Sequence, residues 1–583
     1  MHKAQSRFGI LLWYYISTAF ASPANQFPLS QEKAVDQSAL CPQVPPLLPS
    51  KHTKLDIVLD TLYNQNVFQH SAFEALGGAI RVPTESYDDL GPVGDDPRWD
   101  TFALLHAYLE RTFPQVYASL EVAKVNTYGL VFHWQGSEDT HLPVLITAHQ
   151  DVVPVEPNTV DQWVQPPYSG YYDGTWIWGR GAVDDKSDLI SILITVDSLL
   201  KESFKPTRTF VLAFGFDEEA SSREGAGHLI TYLESRYGTN GFVTLLDEGG
   251  GYGASFGGDI ILAAPCTGEK GYLDARIEVT TPGGHSSVPP PHTGIGILAA
   301  AIVALESKPH PTSLARNGTA FEMLECAAAH DPNLPEQVKL LVQAAKTDDE
   351  ALRRLPEQLL KLDPVFAAIM GTTQAVDLVH GGVKVNALPE KVDAVVNHRI
   401  AEDSSVEELQ KRMTEILLPI ASANDLTLDS FGANVTAGSG KGGHMALSDA
   451  WATSIEPAPK TPTDSAYPYQ ILSGTIKSAL NSSKVYGNRT VIVSPSLAVG
   501  NTDTRWYWNL TRHIFRYSHI GEDDVYAGIH TVNEGAIFEY LSSSLPDRFR
   551  TTWLDHHAAL LARGFVERIR FHTKFILNWD EST

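Results

Sequence analysis

Short apolar, β-branched runs alternate with helix-like stretches through the first half of the chain. Leu142–Ala148, Thr209–Phe216 and Phe242–Leu246 each read as a buried strand, and Trp99–Leu109 and Asp188–Leu200 carry apolar residues at helical spacing. Strands alternating with helices predict an α/β domain, a mainly parallel sheet flanked by helices. All three runs end in His or acidic residues, and sheets of this kind bind ligands at the carboxyl ends of their strands. After about residue 268 the pattern changes. Tyr272–Thr280, Val392–Ile400 and Leu426–Ser430 alternate apolar with polar, and helical stretches Ile295–Leu305 and Val406–Leu417 lie among them. Strands with one wet face predict an α+β unit on an antiparallel sheet. Beyond Pro457-Ala458-Pro459 the helix and strand patterns resume, ending in Asn533–Leu541 and an amphipathic C-terminal helix. The simplest organisation is one domain over 54–267 and 459–583, interrupted by an inserted domain over 268–458.

The ends of the chain have their own character. His2, Lys3 and Arg7 precede an apolar run from Phe8 to Phe20, and Ala19-Phe20-Ala21 offers a small-x-small cleavage site. The run is shorter than the roughly 20 residues that span a bilayer, so residues 1–21 are expected to be a cleaved signal peptide and not an anchor. Residues 22–53 are Pro-, Ser- and Gln-rich and read as an extended arm or a propeptide. Sequons at Asn317, Asn434, Asn481, Asn488 and Asn509 fit a secretory route, ending outside the cell or in a vacuole. Of Cys41, Cys266 and Cys326, one pair is open to bridging, with Cys266–Cys326 the expected pair; free buried thiols are an equal alternative. The 583 residues carry a formal net charge of −25, which excludes nucleic acid and anionic membrane as natural partners.

The chemistry lies where the apolar runs stop. Leu142–Ala148 delivers His149 and Asp151, which point the same way along a strand, as a metal-binding imidazole and its orienting carboxylate could. Alone, a His-x-Asp after a strand is an ordinary loop pattern. Gly179-Arg180-Gly181-Ala182-Val183-Asp184-Asp185-Lys186 precedes a helix, so Asp184 reads either as a metal ligand or as part of a capped helix start. Asp217-Glu218-Glu219 is harder to explain away, because three carboxylates after a buried strand repel one another unless a cation relieves them. If Glu219 is a ligand, Glu218 can face the substrate as general base. Leu245-Leu246-Asp247-Glu248-Gly249 repeats the design, and either acid could close a second metal's shell; Gly528-Ile529-His530 would add a final imidazole. Oxygen and imidazole donors without thiolate suit a catalytic zinc or another divalent ion.

Together the stretches HQDVVPV, GRGAVDDK, DEE, LDEGG, GGHSS and IHTVNE resemble the zinc aminoacylase/carboxypeptidase family. Within it they look nearest to the branch of fungal carboxypeptidase S and the animal N-acyl-amino-acid hydrolase/synthase. Arg81-Val82-Pro83-Thr84-Glu85-Ser86-Tyr87-Asp88 is similar to this branch as well. The resemblance implies two zinc ions per subunit, held by His149, Asp184, Glu219, Asp247 and His530, with Asp184 bridging. It implies Asp151 as the group that orients His149, and Glu218 as the base that activates water. His285, in Gly283-Gly284-His285-Ser286-Ser287, would stabilise the oxyanion in a neighbouring active site. Asn386, Arg399 and Arg505 would hold the substrate carboxylate. The inserted domain would serve as lid and as a homodimer surface. Gly500-Asn501-Thr502-Asp503-Thr504-Arg505 departs from the family's Gly-Gly-Thr-Asp-x-Arg loop at Asn501. The expected function is a di-zinc carboxypeptidase acting on peptides. An N-acyl-amino-acid amidohydrolase/synthase is the alternative, and an inactive binding protein on the same scaffold a remote one.

Overall fold

Strands fall in three blocks along the chain. The computed structural model describes residues 39–525, apart from Gly258 and Val485, and residues 560–582. The first block holds β1 (Glu121–Val125), β2 (Gly129–Trp134), β3 (Val144–His149), the short β4 (Tyr171–Tyr172) and β5 (Trp176–Trp178), then β6 (Phe210–Gly215), β7 (Thr244–Gly253), β8 (Ile260–Ala263) and β9 (Cys266–Glu269). The second holds β10 (Gly271–Thr280), β11 (Gly284–His285), β12 (Thr373–Gly381), β13 (Ala387–Leu388), β14 (Lys391–Ile400), β15 (Leu426–Ser430), β16 (Ala433–Val435) and β17 (Gly443–Asp449). The third returns with β18 (Thr490–Val493), β19 (Ser496–Ala498), β20 (Ile514–Gly521) and β21 (Leu560–Leu561).

The first and third blocks build a ten-stranded sheet, in the order β1-β2-β6-β3-β7-β20-β9-β19 with β8 and β18 off β7. At its centre β6, β3, β7 and β20 run parallel, as expected; β1 and β2 are antiparallel additions at one edge. Both faces of the central strands are covered, so β3 and β6 are buried throughout and read as unbroken apolar runs. Val144, Ile146 and Ala148 pack towards the helices Lys186–Lys201 and Ala562–Glu581, whereas Leu145 packs towards the helix Ala226–Tyr237. The second block forms a six-stranded sheet, β12-β14-β10-β17-β15-β16, antiparallel except where β15 runs beside β17. The helices Gly294–Glu306 and Val406–Ala423 cover one of its faces.

Several elements differ from what the pattern predicts. The run expected to stop at Leu246 continues as β7 to Gly253. Glycine permits this: a Cβ at Gly250 would lie 2.0 Å from the Ala264 carbonyl oxygen, and Gly249 has φ of +148°. Helices between Thr319 and Met370, expected with the inserted unit, pack Phe321, Leu324 and Val342 against Leu262, Ile492 and Leu497 of the large sheet. The C-terminal helix is buried on its polar side too, because Lys574 meets Asp56 at 2.7 Å and Arg568 meets Asp188 at 3.2 Å.

The disulfide joins Cys41 to Cys326, with 4.8 Å between their Cα atoms, and not Cys266 to Cys326. Cys266 is a free, buried thiol inside β9, facing the Gly250 backbone, whereas the arm from residue 39 lies back over the helix Thr319–His330. Among the described residues no helix is long and apolar enough to cross a membrane. The proposed signal peptide, His530 and Asn533–Leu541 lie outside the described residues.

Candidate metal centre and active site

Parallel strands β3 and β6 end side by side, with His149 level with Gly215, and the polar residues that follow them converge with Asp247 and Glu248 of the neighbouring β7. His149 Nε2 lies 3.0 Å from Asp184 Oδ1 and 3.5 Å from Glu248 Oε1. Its other nitrogen, Nδ1, lies 3.2 Å from Asp151 Oδ1. Asp184 and Asp185, joined by a cis peptide, come from the glycine loop before the helix Lys186–Lys201, and Asp185 Oδ2 accepts from the His149 N–H at 3.3 Å. Donor atoms of His149, Asp184 and Glu219 lie within 4.8 Å of one another, and so do those of His149, Asp185 and Glu248.

Asp151 is completely enclosed and surrounded by donors. The Ser86 hydroxyl donates to it at 2.6 Å, and the backbone N–H groups of Glu218 and Glu219 donate at 3.1 Å each. Burial opposes its ionisation, but His149, Ser86 and these N–H groups hold its carboxyl below the usual carboxylate range. Asp151 Oδ1 lies where it could accept the Nδ1 proton of His149, an arrangement that would leave Nε2 for a cation. Ser86 escaped the reading of single motifs; it arrives from the Arg81–Asp88 segment through paired backbone bonds, Ser86 N–H to the Val152 carbonyl and Val152 N–H to the Thr84 carbonyl. Replacing Ser86 by alanine is expected to lower kcat about tenfold to a hundredfold, as loss of such supporting bonds does. Ser86→Thr, which keeps the hydroxyl, should retain most activity; equal loss in both variants would contradict the role.

The other carboxylates repel one another. Burial, then Glu248, raises Glu218 well above its ordinary value; burial, then Asp184, does the same to Glu248; and burial, then Asp188, to Asp185. Burial and Asp247 push Asp503 up to about 7. A divalent cation would relieve this crowding, and the donors are the oxygen and imidazole types that suit one. The residues fit a metal.

Asp247 takes another orientation from the one expected. Its Oδ1 accepts from the Thr147 hydroxyl at 2.7 Å, and Glu248 occupies the place beside His149. Successive residues of an extended strand project to opposite sides, so only one of the two acids can face His149. Arg505 lies close enough for its charge to act on Glu218. Arg399, on β14, has its Nη1 bonded to Asn501 at 2.9 Å. His285 sits exposed on β11 and Asn386 exposed in the turn before β13, and the His285 imidazole bonds to Ser287, not to the carboxylate cluster.

The profile of peptidase family M20/M25/M40 matches residues 145–542, more than half of the chain. The chain belongs to that family. This M20 peptidase is 38% identical to carboxypeptidase S of Saccharomyces cerevisiae over 502 residues, 85% of each chain. It is 31% identical to the human N-fatty-acyl-amino acid synthase/hydrolase over 469 residues, 79% of this chain and 83% of the relative. The motif resemblance is therefore borne out at the level of the family and its branch. The fold matches the dipeptidase Dug1p of Saccharomyces cerevisiae with a TM-score of 0.57 and 15% identity, covering 92% of this chain and 100% of the other. It matches the M20 family metallo-carboxypeptidase Sso-CP2 of Sulfolobus solfataricus with a TM-score of 0.55 and 17% identity, covering 87% and 99%. The M20 peptidase is an enzyme of the metallopeptidase class.

Proposed function

We propose that this M20 peptidase is a zinc carboxypeptidase that cleaves the amide beside a free C-terminal carboxylate of peptides. The observation that carries the reading is the pair of donor groups meeting at His149, at the carboxyl ends of parallel strands. Identity to carboxypeptidase S over most of both chains supports the choice of substrate. Two zinc ions would be held by His149, Asp184, Glu219 and Glu248, the last in the place the motif also offered to Asp247, with Asp184 shared and His530 completing the set. Bound zinc would polarise the scissile carbonyl and acidify the attacking water. Glu218 takes the proton from that water and returns it to the leaving amine. Asp151 keeps His149 in its ligating orientation. His285 of one subunit stabilises the oxyanion in the neighbouring active site, while Arg399, Asn386 and Arg505 hold the carboxylate of the departing amino acid.

A second reading, hydrolysis or synthesis of N-acyl amino acids, is favoured by the similarity to the N-fatty-acyl-amino acid synthase/hydrolase. Both substrates place an amide next to a free carboxylate. Turnover of an N-blocked dipeptide and of a long-chain N-acyl amino acid, with and without chelator, separates them. Faster cleavage of the dipeptide, lost on chelation and restored by zinc, is expected. Preference for the acyl amino acid would select the second reading, and cleavage indifferent to chelation would overturn both.

The same reading extends to organisation and route. Within residues 268–458, the six-stranded sheet and the helices Gly294–Glu306 and Val406–Ala423 would form the lid, and a homodimer would pair through it; exposed Val288, Val383 and Val385 beside His285 and Asn386 support a partner there. Delivery through the secretory pathway, outward or to a vacuole, is supported by the Cys41–Cys326 disulfide and by the exposure of Asn317, Asn434, Asn481, Asn488 and Asn509.

A further inference from the structure

Asn501, which stands where the family loop has glycine, bridges the two sheets. Its Oδ1 accepts from Arg399 Nη1 at 2.9 Å, and its Nδ2 donates to the Lys270 carbonyl at 2.7 Å. A guanidinium only donates and a carbonyl only accepts, so these partners define which end of the amide faces which. Lys270 lies between β9 and β10, where the chain leaves the large sheet for the smaller one. The loop beneath Asn501 is itself held: the Thr502 and Thr504 hydroxyls each donate to Glu269 at 3.1 Å, and Glu269 pairs with Arg516 at 2.7 Å. The Arg399 guanidinium lies 4.6 Å from the centre of the Tyr272 ring. Its Nε and Nη2 make no hydrogen bond to any described residue.

With one face against Tyr272 and Nη1 taken by Asn501, Arg399 keeps one edge for a ligand. That edge, Nε and Nη2, is a two-pronged donor suited to a carboxylate and poorly suited to an amide, which lacks the second acceptor and the charge. We propose that Asn501 is a specificity-determining positioning residue: by occupying Nη1 it holds the Nε–Nη2 edge of Arg399 for the substrate's free α-carboxylate. The proposal rests on the reading of Arg399 as the carboxylate-holding group.

The test is the discrimination between an N-blocked dipeptide, as substrate, and its C-terminal amide, as competing ligand. Their ratio of Ki to KM is read within each protein, so a loss of active fraction cancels. Asn501→Gly, which removes the amide and its bonds to Arg399 and Lys270, is expected to lower the ratio about tenfold through KM with kcat little changed, the worth of one charge-assisted bond. Asn501→Asp keeps an acceptor for Nη1, loses the donor to Lys270 and adds a charge that competes with the substrate; its ratio should fall at least as far. Arg399→Ala serves as reference and should abolish the preference. If either Asn501 variant keeps the native ratio while Arg399→Ala loses it, the role of Asn501 is overturned and that of Arg399 stands. If Arg399→Ala keeps it too, both fall.

Discussion

Glu218→Gln is expected to lower kcat by about a hundredfold to ten-thousandfold, the usual worth of a positioned general base, while the bound metal is retained. Glu218 begins the short turn Glu218–Ala220 that follows β6, and its backbone N–H is tied to Asp151. Its neighbour Glu219 belongs to one of the donor groups around His149, whereas Glu218 belongs to neither. Glutamine fills the same space and leaves the N–H to Asp151 in place, so His149 and its orienting carboxylate stay as they are. What is lost is the group that can accept a proton. Turnover and metal content measured on the same preparation decide the matter. Native kcat would remove Glu218 from the mechanism, and loss of the metal together with activity would make it a ligand instead.

Breaking the disulfide should have the largest effect on stability. Cys41 and Cys326 are separated by 285 residues, and a bridge closing so long a loop typically contributes about 2–4 kcal/mol, chiefly by restricting the unfolded chain. The arm it anchors has further ties: Gln43 and Val493 exchange two hydrogen bonds at 2.9 and 3.0 Å, and the Leu47 N–H donates to the Gly474 carbonyl at 2.8 Å. Cys326→Ser is therefore expected to lower the denaturant midpoint markedly without dissolving the centre at His149. Cys266→Ala removes one small buried group and should cost less, about 1 kcal/mol. A non-reducing peptide map provides the direct check, and a Cys266–Cys326 peptide in it would refute the pairing.

How much of this was legible in the chain depends on the range of the interactions involved. The central strands were, because residues buried on both faces must be apolar along their whole length, as β3 and β6 are. Their ends were legible for the same reason: His149 and the Asp217-Glu218-Glu219 cluster stand where an apolar run stops. The length of β7 was not, since its glycines read as a turn until the Ala264 backbone is seen to need the room.

The amino-acid sequence by itself determined the fold class, the alternation of a parallel-type and an antiparallel-type sheet, and the place of the polar clusters at the ends of β3 and β6, all of which follow from burial period and local propensity. Only the tertiary structure decided which acid of Asp247-Glu248 turns to His149, that Ser86 completes the surroundings of Asp151, that Asn501 reaches Arg399, and that Cys41 and not Cys266 meets Cys326. Each of these joins segments remote in the chain or chooses between adjacent side chains. No periodicity records such a choice, because it is made by the register and packing of whole elements.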